Sequence, residues 1–245
     1  MHRLGALVVL TYASRTAQAG PPFRTDDPEA VAYQHGEIYV FAQQTLGADS
    51  RNGVLPAIEF NYGIHDKIQL HFTAPYAFTT PSGENSSRGY GDTEIGVKWQ
   101  INEETDSLPM FGIFPLVELP SGNEDKGLGS GATQVFVPLW IQKKYGRFQT
   151  YGGGGYWFVG ASDMENYWFV GWQAQYQFSD TLTLGSEVFH TTQQVAGQGA
   201  SSGFNFGGFF NFDEHHHLLF SAGKGLKNAA ETNRVSTYVG YQYTY

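Results

Sequence analysis

The stretch STYVGYQYTY, residues 236–245, closes the chain with side chains that alternate at the period of a strand. Val239, Tyr241, Tyr243 and Tyr245 fall on one side of an extended backbone, because successive strand side chains point to opposite faces. Ser236, Tyr238, Gly240, Gln242 and Thr244 fall on the other. A chain end is seldom ordered unless it is tied into a sheet. The aromatic stripe therefore needs a partner surface, of protein or of lipid.

The same period recurs upstream. Val54, Pro56, Ile58, Phe60, Tyr62 and Ile64 share a face opposite Ala57, Glu59, Asn61 and Gly63. Ile68, Leu70, Phe72, Ala74, Tyr76 and Phe78 oppose Gln69, His71, Thr73 and Ala77. Thr93, Ile95, Val97, Trp99 and Ile101 oppose Asp92, Glu94, Gly96, Lys98 and Gln100. Trp168, Val170, Trp172, Ala174, Tyr176 and Phe178 oppose Gly171, Gln173, Gln175 and Gln177, and Phe204, Phe206, Phe210 and Phe212 oppose Asn205, Gly207 and Asn211. Segments 37–46, 109–120, 133–143 and 148–159 are apolar on both faces and are strands by position. With 181–192, 216–224 and 235–245 the total is about twelve, an even number. Short connections near 65–66, 102–107, 145–146, 179–180 and 213–215 alternate with longer Gly/Ser/Asn-rich stretches at 46–53, 79–91, 120–132, 160–165, 193–203 and 225–234. This predicts an all-β fold, a single antiparallel up-and-down transmembrane barrel with periplasmic turns and longer extracellular loops. The last strand must then close on the first, with Tyr241, Tyr243 and Tyr245 as the closing aromatics facing lipid or the interfacial girdle.

Composition agrees. There are 31 glycines, 16% aromatics and 15% charged residues, against a usual charged share of about 25%. No apolar run reaches the ~18 residues of a helical span. A soluble β-sandwich or lipid-binding barrel is the alternative, but it would turn these aromatics into water. The opening MHRLGALVVLTYASRTAQAG has a basic start, an apolar stretch and Ala17-Gln18-Ala19 before Gly20, the layout of a secretory signal over residues 1–19. Residues 20–35 form a lead-in, and 36–245 the barrel. The alternative for the first residues is a buried helix. The net charge of −9 gives no basic footprint for nucleic acid, and the absence of cysteine excludes thiolate chemistry and a disulfide scaffold.

The expected lumen-facing set is Glu59, Asn61, Gln69, His71, Asp92, Glu94, Lys98, Gln173, Gln175, Glu187, Asn205 and Asn211. A lysine on the lipid side would cost about 2–4 kcal/mol at the midplane. These groups either fill a narrow lumen as a structural network or line a selective path. Barrels of about eight strands are filled and those of 16–18 are open, so twelve lies between. Asp26, Asp27 and Glu29 belong to a periplasmic lead-in or to an inward-tucked plug. The run Gly152, Gly153, Gly154 and Gly155 lacks the Lys-Ser/Thr of a phosphate loop and makes room for a bend, a bulge or the N-terminal segment. It is a plug or gate candidate with those acids.

Enzyme-like motifs are weak. Gly199-Ala200-Ser201-Ser202-Gly203 matches G-x-S-x-G, which needs a strand-to-helix turn, and it sits in an expected loop with no helix after it. The His-x-Ser arrangement of the lipolytic barrels is absent, so no catalytic residue and no cofactor is expected. In DEHHH, residues 213–217, only His215 and His217 could share a face. They are the weak metal candidates beside the reading of a plain turn.

Three stretches carry a resemblance: PPFRTDDPE (21–29), GYGDTEIGVKWQI (89–101) and ELPSGNEDKGLGSGA (118–132), the last followed by VPLWIQKKYGRFQTYGGGGYW (137–157). The chain resembles a family of bacterial outer-membrane proteins described as transporters of the MetA pathway of phenol degradation, related to the long-chain fatty-acid transporters. The resemblance implies passage of small apolar or aromatic compounds across the outer membrane of a Gram-negative bacterium. Its implied partners are the solute, outer-membrane lipids and the barrel-assembly machinery. A structural or adhesin-like surface protein is the rival role.

Overall fold

The computed structural model describes residues 21–83, 85–162 and 164–245; the expected signal segment, 1–19, lies outside them. The strands are β1 (Gly36–Leu46), β2 (Ser50–His65), β3 (Ile68–Pro81), β4 (Ser87–Tyr90 and Thr93–Gln100), β5 (Met110–Ile113 and Leu116–Leu119), β6 (Gln134–Tyr145), β7 (Phe148–Val159), β8 (Tyr167–Gln177), β9 (Leu182–Thr191), β10 (Ser201–Asn211), β11 (His216–Lys227) and β12 (Val235–Thr244). Each pairs antiparallel with its sequence neighbours, giving a closed twelve-stranded barrel. Closure is made by β1 on β12, from Glu37 opposite Thr244 to Leu46 opposite Val235. Beyond that ladder Gly36 and Tyr245 exchange backbone bonds of 2.9 and 3.0 Å. The chain end is thus ordered because every backbone group of a barrel in lipid must find a partner.

The alternation sorts the side chains as the pattern requires. Ile58, Phe60, Leu70, Phe72, Trp99, Trp168, Val170, Trp172, Val239 and Tyr241 are exposed on the outer wall, while Gln173, Glu187 and Gln242 are almost wholly buried inside. A polar interior inside an apolar wall is the reverse of a soluble barrel.

The ladder of β2 on β3 shifts twice, at Leu55-Pro56 and again between Gly63 and His65, and the first shift re-sorts the faces. Val54 lies opposite Ala77 but Ala57 lies opposite Pro75, so the ladder slips at Leu55-Pro56. Val54 consequently packs inward against Tyr39, Phe41, Ala57, Phe209, Leu219 and Tyr238, while Ile58 faces out. The expectation that Val54 and Ile58 share a face is therefore corrected, because an extra residue in one strand shifts all that precede it to the other side. The loops also differ from expectation. Strands run on through 50–53, 79–81, 87–90 and 201–203, leaving connections of only 47–49 and 82–86, whereas 101–109 between β4 and β5 is longer than its side predicts. Length alternation is therefore not strict.

The two halves of β4 flank Gly91-Asp92, and those of β5 flank Phe114-Pro115. Pro115 has no N–H for the ladder, although its carbonyl still accepts from Val97 at 3.2 Å. The break carries Phe114 inward into a second interior cluster with Phe136, Trp140, Phe169 and Phe189.

Candidate functional site

Residues 21–31 of the N-terminal segment lie against the inner wall of the barrel, while 32–35 are exposed on the way to β1, so the choice left open for Asp26, Asp27 and Glu29 resolves inward. Glu187 of β9 is the segment's main anchor. One Glu187 carboxylate oxygen accepts Arg24 N–H at 2.8 Å, and the other accepts Thr25 N–H at 2.8 Å and the Thr25 hydroxyl at 2.7 Å. Asn205 of β10 donates to the same carboxylate at 2.6 Å. Across the lumen Lys98 of β4 donates to Asp26 at 2.9 Å and lies 3.9 Å from Asp27. Lys144 of β6 pairs with Glu29 at 2.6 Å, and Gln142 donates to Glu29 at 3.1 Å. The Gln69 and Gln100 side chains accept Val31 and Ala30 N–H at 2.9 and 3.3 Å, and Ser221 donates to the Pro22 carbonyl at 2.6 Å. The bonds of Glu187, Lys98 and Lys144 are charge-assisted, the stronger class, and together these contacts reach the segment from five strands.

A cavity of about 170 Å³ remains between this segment and the wall of β1 to β5. On that wall Asn61 donates to Glu59 at 2.9 Å, and the His71 ring bonds Asn61 at 2.8 Å through Nδ1 and Glu94 at 2.9 Å through Nε2. Glu37 accepts the Tyr39 hydroxyl at 2.8 Å, which in turn accepts from Gln242. Phe114 sits edge-on to His71 at 5.3 Å, with the Lys98 ammonium 5.0 Å from its ring centre. Arg24, exposed to the lumen, lays its guanidinium over Phe189 at 4.4 Å and Phe169 at 5.4 Å.

Asp92 has a different duty from the rest of the expected lumen set. Its carboxylate accepts Gly122 N–H at 2.9 Å, Ser130 N–H at 2.7 Å and the Ser130 hydroxyl at 2.9 Å, so it ties the 120–133 loop to the strand break. Within that loop Asn123 caps the 3-10 turn Glu124–Lys126, and buried Leu128 lies against Gly89 and Gly91. This is the physical reason for GYGDTEIG and ELPSGNEDKGLGSGA to occur together. Gln173 and Gln175 bond one another at 3.0 Å within the wall, and Asn211 reaches His217 at 2.9 Å.

The glycines that abut the N-terminal segment are Gly63, Gly112 and Gly171, where an added Cβ would meet Ala32, Pro28 and Thr25. Those at 152–155 instead have the rings of Trp172, Trp140 and Phe136, Val170 and neighbouring backbone as their nearest contacts. The three glycines that do abut the segment lie on other strands, β2, β5 and β8, and no run in the sequence marks them. His215 and His217 bond different atoms of Thr244, the carbonyl at 2.8 Å and the hydroxyl at 3.3 Å, while His216 bonds Tyr241. Backbone N–H groups of His215 and His216 hold the Asp213 carboxyl below its usual range, as expected of a tight turn. Ser201 and Ser202 lie in β10 rather than in a loop. Ser202 bonds His190 at 2.8 Å, yet among the described residues nothing hydrogen-bonds the second His190 nitrogen, so the pair lacks the orienting group of a triad.

A family model described as "Putative MetA-pathway of phenol degradation" matches residues 36–243. An outer-membrane channel from Pseudomonas putida F1 shares the fold with a TM-score of 0.75, at 14% identity, over 93% of this chain and 100% of that one. The NanC porin gives 0.58 at 9% identity, covering 84% and 98%. A TodX monoaromatic hydrocarbon channel variant gives 0.50 at 9%, covering 89% and 92%. No curated protein matches the sequence significantly.

Proposed function

Given that the chain belongs to the family of the MetA pathway of phenol degradation, we propose that it is an outer-membrane channel for passive uptake of small apolar or aromatic molecules. It is exported from the cytoplasm of a Gram-negative bacterium and performs no chemistry on its solute. The observation that carries this reading is the interior: a barrel with an apolar outer wall encloses a cavity of about 170 Å³ and an N-terminal segment held mainly by polar and ionic contacts. A scaffold would gain more from an interior filled with apolar side chains, since buried ion pairs are poor stabilisers. The fold shared with the Pseudomonas putida channel and with a channel for monoaromatic hydrocarbons supports the same role.

The test is reconstitution. Proteoliposomes should take up phenylalanine, a one-ring solute that lipid excludes, faster than protein-free vesicles, and planar bilayers should show single-channel events. Absence of both would leave the surface-scaffold role. Recovery of folded protein without detergent would remove the membrane barrel itself.

A further inference from the structure

We infer that the interior cavity is a binding site for single-ring compounds carrying a protonated amine, so that the channel favours organic cations over organic anions. The inference rests on the channel reading for its path but on the cavity for its chemistry. An engineered apolar cavity of about 150 Å³ accepts benzene, so a space of about 170 Å³ has room for one ring. Phe114 offers that ring an aromatic wall. The charges decide the rest. Of the acids around the cavity, Asp26 is matched by Lys98 and Glu29 by Lys144, and the Arg24 cation is offset by Glu187 beneath its own backbone. Among the described residues, Glu59 and Glu94 have only the His71 ring within ion-pair distance, and Glu37 has no cation that close, although the buried Lys98 acts on it from farther off. Beside Glu59 lies Tyr238, whose buried hydroxyl has no hydrogen-bond partner among the described residues. An interior with surplus carboxylates gains by taking a donor-rich cation and loses by taking an anion, because like charges in a low dielectric repel strongly. An ammonium beside an aromatic face is also attracted by the ring quadrupole.

The full-length protein, refolded in detergent, should bind benzylammonium at least about tenfold more tightly than benzenesulfonate by ligand-observed NMR titration. Glu59→Gln and Glu94→Gln should each weaken benzylammonium binding severalfold, with folding checked by heat-modifiable migration on gels. Glu231→Gln, in the outer 228–234 loop, should leave it unchanged. Equal affinity for the two ligands, or unchanged binding in both folded variants, overturns the inference. Phenylalanine uptake by proteoliposomes separates the two readings: uptake without selective binding removes the site and keeps the channel, whereas selective binding without uptake removes the channel and keeps the site.

Discussion

Glu187 concentrates the hold on the N-terminal segment in one carboxylate that accepts from Arg24, Thr25 and Asn205. Glu187→Gln keeps the volume but turns a donor toward groups that are already donors. Leaving buried donors unsatisfied costs about 1–3 kcal/mol each, so the segment should leave its seat. Trypsin reports this directly, since the Arg24–Thr25 bond is held in the lumen: the variant should be cut there quickly and the parent protein slowly. Equal resistance in both would mean that the ionic contacts of Lys98 and Lys144 suffice. Asp92→Ala makes the complementary case at the other mouth. It removes the acceptor shared by Gly122 and Ser130, and exposed Lys126 within the loosened loop should become the fastest tryptic site. Lys126 cleavage unchanged from the parent would show that the turn capped by Asn123 holds the loop alone.

At the scale of elements, β12 tests closure. Deleting residues 243–245 removes the pairing of Ile38 with Tyr243, of Glu37 with Thr244 and of Gly36 with Tyr245. That leaves an open edge which lipid cannot hydrogen-bond. Outer-membrane abundance, measured in a strain without periplasmic proteases, should collapse for the deletion. Thr244→Ala loses two hydroxyl contacts, to the Glu214 carbonyl at 3.0 Å and to the His217 ring at 3.3 Å, but keeps the backbone pairing and should assemble nearly as the parent does. Strands such as β3, β8 and β12 were legible in the sequence because their outward face must be apolar and their inward face need not be. The slip at Leu55-Pro56 was not legible, since an extra residue leaves the composition of both faces plausible. The seat of 21–35 was equally hidden: Asp26, Asp27 and Glu29 suit water as well as they suit Lys98 and Lys144, and only tertiary structure distinguishes the two. Isolated glycines carried that information. Gly171→Val would drive a side chain into Thr25 and should expose Arg24 to trypsin without altering any charge.

The whole molecule combines a wall that lipid stabilises with an interior whose occupant is tied by charge. A twelve-stranded bore lies between the filled barrels of about eight strands and the open ones of 16–18, so whether it conducts depends on what fills it. Residues 21–35 contribute no strand to the ladder beyond the single bridge of Tyr33 to Gly63, and the closing pairs start at Gly36. Deleting 21–35 behind an intact export signal should therefore leave a barrel that still assembles and migrates in the heat-modifiable form. Its melting on gels should shift to lower temperature, because Lys98, buried and paired with Asp26 and Asp27, would lose both partners. Removing one side of a buried pair costs about 3–5 kcal/mol where water cannot enter, and less in a lumen that floods. Conductance should rise in the same variant: phenylalanine uptake should exceed that of the full chain, and single-channel events should become larger and longer. The two changes together are specific to an occluding segment. A variant that loses stability without gaining conductance would mean that 21–35 only braces the wall, and that solute passes, if it passes at all, by a path the segment does not obstruct.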